Sequence, residues 1–272
     1  MSSTTEITVA QLMRRIGLPD APVLIDVRIP EDVASDPRRI PGSQWRDFQE
    51  AQNWASAFSG RDVVVICHKG LKLSQGVAAL LRLAGARAEV LEGGFLAWQA
   101  AGGVLLNSDR VPKNASGLGT LWVTRARPKI DRIACPWLIR RFVDPGARFL
   151  FVAPSEVPGV AERFGATPFD IEEVFWSHRG PLCTFDVMIE AFGLSHPALD
   201  RLARIVRAAD TAALDLEPEA TGLLAVSLGL SRMFRDDLEQ LDHGMLIYDA
   251  FYRWCRDAAG ETHNWPNPGA KA

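Results

Sequence analysis

The stretch VVVICHKGLKLSQGVAALL, residues 63–81, decides the fold class of the first half of the chain. Four β-branched residues lead into Cys67, and a helical pattern begins a few residues later. A buried strand, a short loop and a helix in this order form the βα unit from which parallel sheets are built. Open α/β sheets bind ligands beyond the carboxyl ends of their strands, and Cys67 occupies such a position.

Cys67 has two interpretations. Cysteine is among the most buried residue types, so a strand that ends in cysteine is more often a packing feature. The residues that follow favour chemistry, because loop amides, a helix N-terminus and cationic side chains together attract an anion. These residues are His68, Lys69, Gly70, Leu71 and Lys72. In the second interpretation, the loop holds a thiolate, a persulfide or an oxyanion.

The whole chain has 272 residues, of which 47% are hydrophobic and 23% charged, and this composition predicts two modest globular domains. The net charge of −3 gives no reason to expect general nucleic-acid binding. Four scattered cysteines without CxxC pairs argue against a disulfide framework. The first residues lack the pattern of a signal peptide and no stretch is apolar enough to span a bilayer, so we expect a cytoplasmic protein without a membrane partner.

The domain boundary is predicted from a change in pattern. Residues 1–106 alternate short strands with helices, which is typical of an α/β domain with a parallel sheet and helices on both faces. Residues 107–120 are polar, contain Gly, Ser and Pro, and read as a linker. Residues 121–260 predict a helix-rich α+β domain, and residues 261–272 a C-terminal tail.

Two helices of the second half are predicted in detail. The segment CPWLIRRFVD predicts a helix with Pro136 in its first turn, where proline is tolerated. Cys135 would then lie at a basic helix N-terminus, where a thiol is activated, and a packed, unreactive cysteine is an equal alternative. A second helix is predicted from about Ser231 to Arg256 on the basis of an apolar stripe. The stripe consists of Phe234, Leu238, Leu241, Met245, Tyr248, Tyr252 and Cys255.

The first half resembles the rhodanese family over residues 8–105. The resemblance rests on LIDVRIPED, RIPGS, CHKGLK and LEGGFLAW, which occur in the family's order. It implies that Cys67 is a nucleophile that carries sulfur as a persulfide between a sulfane-sulfur donor and a thiol acceptor, without a cofactor. Lys72 stands where the family has an arginine, so the donor is expected to differ from thiosulfate. Asp26 and Arg28 are expected to tie down a loop.

The second half concentrates basic residues in an acidic protein. A candidate oxyanion site consists of Arg125, Arg127, Lys129, Arg132, Cys135 and Arg179. Such a patch can bind an oxyanion, contact phosphates or pair with acids of a neighbouring helix. A candidate metal site consists of His178, Asp186, Glu239 and His243, with Asp210 and Asp236 as further polar candidates. For the last helix, a solvated face of i,i+4 pairs is the simpler interpretation.

Residues 121–256 resemble the C-terminal domain of chromate resistance proteins of the ChrB type. The matching segments include WVTRARPKIDRIACPWLIRRF, SHRGPLCTFD and GMLIYDAFYRWC. The combined prediction is a persulfide carrier fused to a chromate-resistance domain, acting in a chromate or sulfur-oxyanion stress response, with chromate or sulfate as ligands. The alternatives are a chromate-responsive DNA-binding regulator with an inert rhodanese scaffold, or a metal-dependent enzyme of the second domain. The metal's identity and homo-oligomer formation stay open.

Overall fold

The structure, a computed structural model, describes residues 5–113 and 119–261. Within these ranges, no helix is both long and apolar enough to cross a membrane. The N-terminal part contains five strands, which are β1 (Glu6–Ile7), β2 (Val23–Asp26), β3 (Ser43–Trp45), β4 (Asp62–Ile66) and β5 (Arg87–Leu91). All neighbours in this sheet pair in parallel, in the order β1-β5-β4-β2-β3.

Both faces of this sheet are covered, because successive strand residues point to opposite sides. Val65 on one face belongs to a core cluster with Leu81 of the helix that follows Cys67. Val64 on the other face belongs to a second cluster, which includes Trp98. These features confirm the predicted α/β fold. The helices are α1 (Val9–Met13), α2 (Pro30–Ser35), α3 (Ala51–Trp54), α4 (Lys72–Leu83) and α5 (Gly94–Ala100).

The C-terminal part has a small parallel sheet and many helices, as predicted for a helix-rich α+β domain. Its strands are β6 (Leu121–Arg125), β7 (Arg148–Val152) and β8 (Thr167–Pro168), in the order β7-β6-β8. Its helices are α6 (Asp131–Leu138), α7 (Val157–Phe164), α8 (Thr184–Phe192), α9 (Pro197–Asp210), α10 (Glu219–Met233) and α11 (Asp237–Arg253).

The two parts share one hydrophobic core. Trp98 of α5 belongs to the same buried cluster as Trp137 and Phe142 of the C-terminal part. The backbone adds a link, because the Gly42 amide donates a hydrogen bond of 2.7 Å to the carbonyl of Phe142. At the start of the predicted linker, the Asn107 amide donates to the carbonyl of Phe192. Residues 114–118 of that linker and residues 262–272 of the predicted tail lie outside the described residues.

The structure corrects three local predictions. The proline and glycine of RIPGSQW, residues 39–45, predict a turn, but this segment contains strand β3, which is only three residues long. Helix α6 begins at Asp131, so Pro136 lies inside the helix and not in its first turn. The predicted final helix from Ser231 is two helices, because α10 ends at Met233 and Asp236 caps α11 by accepting a hydrogen bond from the Glu239 amide.

The prediction that the apolar stripe of the last helix is buried is correct only for the central part of the stripe. Leu241, Met245, Tyr248 and Tyr252 are buried, whereas Leu238 is exposed. Phe234 precedes α11 and Cys255 follows it, and neither is among the buried residues. The stripe therefore packs over the last three turns of the helix and not over its start.

Candidate functional site

Cys67 lies immediately after β4, at the carboxyl end of a central strand. Its side chain belongs to the apolar cluster between the sheet and α4, and the residue is 4% exposed. The Sγ atom lies 3.2 Å from the hydroxyl oxygen of Ser74, which is itself buried in α4. The thiol is thus fixed by its neighbours, with the loop residues 68–71 above it.

Glycines hold this loop in place. Gly70 has φ +69°, and a side chain there would meet the carbonyl oxygen of Leu91 at 2.7 Å. Gly94 has φ +61°, and its missing side chain leaves room for the Cys67 carbonyl and the Gly70 amide. The Phe95 amide can therefore donate a hydrogen bond of 2.9 Å to the carbonyl of Cys67. The close approach of α5 to the loop depends on glycine at both positions.

The groups around the loop favour an anion. Helix α4 begins at Lys72, and its N-cap residue Leu71 provides no side-chain hydrogen bond to the first turn. The first amides of a helix lack intrahelical partners and carry partial positive charge. The Lys69 and Lys72 side chains are exposed at the same loop, and His68 Nδ1 lies 4.0 Å from Asp32 Oδ1. This arrangement can stabilise a negatively charged sulfur at Cys67.

Asp26 and Arg28 form a buried pair beneath the neighbouring strand end. The Arg28 guanidinium donates to both carboxylate oxygens of Asp26, at 2.8 to 3.1 Å. It also donates to the backbone carbonyls of Asp36 and Arg38 and lies 3.8 Å from the ring centroid of Phe95. These contacts fasten residues 36–38 to β2, which is the type of role expected for the pair.

A second polar cluster lies at the carboxyl ends of β6 and β8. We name Asp131, Asp170, His178 and Asp210 the His178 cluster. His178 Nε2 lies 3.1 Å from Asp210 Oδ2, 3.5 Å from Asp131 Oδ2 and 3.5 Å from Asp170 Oδ1. Asp170 follows β8, Asp131 opens α6 and Asp210 ends α9. Asp131 and Asp170 are buried, whereas the His178 side chain is 41% exposed.

The carboxylates change the proton affinity of this cluster. Hydrogen bonds to Asp131 and Asp170 raise the pKa of His178 from 6.5 to about 10. Burial, together with the charges of Asp131 and Asp170, raises the pKa of Asp210 to about 7. Burial also opposes the charge of Asp170, but hydrogen bonds from His178 and Arg125 outweigh it and lower the pKa. These carboxylates therefore stabilise the protonated form of His178.

Comparison with known proteins assigns the two sites to two different domains. The family model "Rhodanese-like domain" matches residues 8–101, and the model "ChrB, C-terminal domain" matches residues 122–255. The chain joins a rhodanese-like domain to a ChrB C-terminal domain. Cys67 belongs to the rhodanese-like domain and the His178 cluster to the ChrB domain.

Individual relatives cover parts of the chain. Protein ChrB from Cupriavidus metallidurans is 32% identical over 140 residues, which are 49% of this chain and 40% of that protein. A rhodanese-like domain protein from Staphylococcus aureus is 27% identical, covers 35% of this chain and 90% of its own, and has a TM-score of 0.31. A rhodanese-related protein from Thermoplasma volcanium is 24% identical, covers 37% and 96%, and has a TM-score of 0.33.

The basic patch of the ChrB domain is largely paired with acids. Arg125 and Arg132 both contact Asp170 Oδ2, at 3.0 and 3.2 Å. The Arg127 guanidinium donates to the carbonyls of Phe234 and Ser231. Arg179 forms an exposed ion pair with Glu190, and Lys129 is partly buried at a cleft that Arg127 and Arg232 also line. The predicted oxyanion residues therefore do not converge on one open site.

Cys135 is a packed cysteine, which is one of its two predicted interpretations. It lies in the second turn of α6, is fully buried, and has a pKa well above the usual value because of burial and the nearby Asp131 carboxylate. The other interpretation, an activated thiol at a helix N-terminus, is wrong, because the helix starts four residues earlier. Cys183 is also buried, and burial strongly raises its pKa, while its Sγ lies 3.2 Å from Asp186 Oδ2.

The four residues predicted as metal ligands are separated. Only His178 of that set belongs to the group of described residues, Asp131, Asp170 and His178, whose ligand atoms lie within 4.8 Å of one another. Asp186 accepts a hydrogen bond from the Cys183 amide and pairs with Arg207. His243 is exposed and stacks on Phe234, and Glu239 is exposed in the first turn of α11.

Sequence reasoning missed Asp170 and Asp131 as site residues. Asp131 was visible as the single acid within the basic patch, and Asp170 follows the two-residue strand β8. The signal that could have found them is the rule that parallel strands bring their carboxyl ends to one edge of the sheet. This rule can be applied only when strand β8 has been located, and its two residues are too few to show the alternating pattern of a strand.

Proposed function

We propose that the rhodanese-like domain is a sulfurtransferase that carries sulfane sulfur as a persulfide on Cys67. The protein would act in the cytoplasm, in the response to chromate or to sulfur oxyanions. The observation that supports the proposal is the place of Cys67, at the end of a central parallel strand beneath a glycine-supported loop and beside an uncapped helix N-terminus. Such a place favours a negatively charged sulfur.

The proposed reaction has two displacement steps. The Cys67 thiolate attacks the sulfane sulfur of a donor, forms a new S–S bond and breaks the donor's bond to that sulfur, so that the donor leaves with the bonding electron pair. With thiosulfate as donor, sulfite leaves. An acceptor thiolate then attacks the outer sulfur of the persulfide, which yields an acceptor persulfide and regenerates the Cys67 thiolate.

The surrounding groups have separate roles in this proposal. The first-turn amides of α4 stabilise the negative outer sulfur, and Lys69 and Lys72 attract an anionic donor. Ser74, whose hydroxyl lies 3.2 Å from Sγ, positions the thiol before attack. Asp26 and Arg28 are too firmly paired to reach the donor, and they support the loop at the neighbouring strand end.

The second domain supplies the context of the proposal. It is a ChrB C-terminal domain, and the curated relative that shares it is Protein ChrB. This chain spans less than half the length of that relative. We infer that the sulfur chemistry at Cys67 serves a chromate-resistance response and that the protein binds chromate or sulfate.

Intact mass spectrometry tests the sulfur chemistry. The reduced full chain is incubated with thiosulfate or with glutathione persulfide, and the excess donor is removed before measurement. We expect one added sulfur atom per chain, which a reducing agent removes. The absence of an adduct with both donors would contradict the proposal.

A matched thiol variant separates Cys67 from the other cysteines. Among the four thiols, Cys135 and Cys183 are buried, whereas Cys255 is partly exposed and offers a fair comparison. We expect Cys67→Ser to lose the adduct and Cys255→Ser to keep it. An adduct of equal size in Cys67→Ser would show that the sulfur is carried elsewhere.

A further inference from the structure

The His178 cluster combines a partly exposed imidazole with three carboxylates at one edge of the small sheet. We propose that Asp131, Asp170 and His178 form a binding site for a divalent transition-metal ion such as Zn²⁺, with Asp210 beside it. This inference is independent of the sulfur chemistry at Cys67, because it concerns a different domain and different residues.

The spacing of the donor atoms fits such an ion. His178 Nε2 lies 3.5 Å from Asp131 Oδ2 and 3.5 Å from Asp170 Oδ1. Ligands that bind a tetrahedral ion at about 2.1 Å lie about 3.4 Å apart. The nitrogen therefore already lies at ligand spacing from each of the two oxygens, and the ligand atoms of the three residues lie within 4.8 Å of one another.

Asp131 provides the independent observation. It is 1% exposed, and its Oδ2 accepts a hydrogen bond of 2.6 Å from the Thr184 amide. Its other oxygen, Oδ1, is buried without a hydrogen-bond partner in the described part of the chain. A buried carboxylate oxygen without a partner is costly, and a cation that Asp131 binds through both of its oxygens would satisfy it.

The neighbours of Asp170 orient it for binding. Arg125 and Arg132 both contact Oδ2, whereas Oδ1 faces His178 and accepts a hydrogen bond of 3.1 Å from the Thr184 hydroxyl. Oδ2 of Asp170 thus binds the two arginines, and Oδ1 is oriented toward the other residues of the His178 cluster. Ligands that are fixed by outer hydrogen bonds in this way are typical of metal sites.

The donor set indicates the class of metal. Imidazole suits zinc and other late transition metals, and carboxylates complete such sites with harder oxygen donors. Three protein ligands leave a coordination position open for water. The exposed face of His178 gives the ion access from solvent, and Asp210 Oδ2, 3.1 Å from Nε2, can accept a hydrogen bond from that water.

Equilibrium dialysis tests the site directly. The full chain is freed of metal with a chelator, dialysed against micromolar Zn²⁺, and analysed for zinc by elemental analysis. We expect about one ion per chain for the unmodified protein and loss of that ion in His178→Gln and Asp131→Asn. No zinc uptake by the unmodified protein would overturn the proposal.

His243→Gln is the matched control, because this exposed histidine of α11 lies outside the cluster. It should keep the ion, and retention of zinc by His178→Gln at the level of His243→Gln would also overturn the proposal. The His178 variant replaces a side chain that is 41% exposed, so it is expected to fold even if Asp131→Asn does not. Circular dichroism of each variant checks this point.

Co²⁺ identifies the ligand type. Cobalt bound by oxygen and nitrogen gives weak visible bands, whereas cobalt bound by a thiolate adds an intense near-ultraviolet charge-transfer band. We expect only the visible bands, and we expect them to disappear in His178→Gln. A thiolate band would place the ion on a cysteine and contradict the proposal.

Discussion

Replacing Gly94 by alanine tests how the cysteine loop is held. Gly94 has φ +61°, opens α5 and lies directly beneath the loop. An alanine side chain would collide with the Cys67 carbonyl and the Gly70 amide, both of which are backbone atoms that cannot rotate away. The loop or the helix would have to move, and the hydrogen bond from the Phe95 amide to the Cys67 carbonyl would be strained.

Two contributions set the expected loss of stability. A non-glycine residue in the left-handed region costs about 1 kcal/mol. Forcing an extra methyl group into packed structure costs about 1–3 kcal/mol more. Gly102 distinguishes the backbone contribution from the packing contribution. It has φ +71°, but a β-carbon added there would have no atom within 4 Å. Gly102→Ala should therefore show only the first contribution.

Urea unfolding followed by circular dichroism measures both variants. We expect the free energy of unfolding to fall by about 2–4 kcal/mol in Gly94→Ala and by about 1 kcal/mol in Gly102→Ala. Persulfide formation should fall in Gly94→Ala, because the loop is displaced, and remain normal in Gly102→Ala. Equal losses of stability in the two variants would refute the claim that close packing requires glycine at position 94.

Three further predictions concern side chains. Arg28→Lys keeps the positive charge but loses most of the guanidinium's hydrogen bonds to Asp26 and to two backbone carbonyls, so it should lower the free energy of unfolding by about 3 kcal/mol in urea titrations. Arg87→Lys in an exposed pair should cost less than about 1 kcal/mol. Similar losses in the two variants would contradict the structural role of Arg28. Lys72→Arg should lower the KM for thiosulfate about tenfold in a sulfite-release assay, because arginine can add one charge-assisted hydrogen bond to the donor. An unchanged KM would contradict the role of residue 72 in binding an anionic donor. Burial lowers the pKa of His196 below its usual 6.5. Just below pH 6.5 the unfolded chain therefore binds a proton at this residue that the folded chain does not bind, and the free energy of unfolding falls. His196→Phe should flatten this loss in urea midpoints measured between pH 7 and about 5, and an unchanged slope would assign the loss to other groups.

The rhodanese-like domain was predictable because its signals are local. The strand before Cys67, the loop and α4 are contiguous, and Thr8, a residue type that favours helix N-caps, caps α1 by accepting a hydrogen bond from the Gln11 amide. Strand β3 was not predicted within RIPGSQW, because three residues are too few to show a periodic pattern. The parallel sheet followed from the βα alternation even without the two shortest strands.

The His178 cluster was not predictable from local pattern. Asp131, Asp170, His178 and Asp210 come from four different segments, and only the packing of α6, α8 and α9 around the small sheet brings them together. Regular i,i+4 spacing instead drew attention to Glu239 and His243, which are exposed. Helical spacing identifies residues that share a face, but it does not show whether that face meets a site.

The sulfur-carrier role of Cys67 is tested by following one sulfur atom through the protein. A donor with isotopically labelled sulfane sulfur is mixed with the reduced chain, the Cys67 peptide is analysed by mass spectrometry, and an acceptor thiol is then added. We expect the label to appear on Cys67 and to move to the acceptor at the rate at which the Cys67 peptide loses it. Label on another cysteine, or label that stays on Cys67 in the presence of acceptor, would contradict the role of Cys67 as a sulfur carrier.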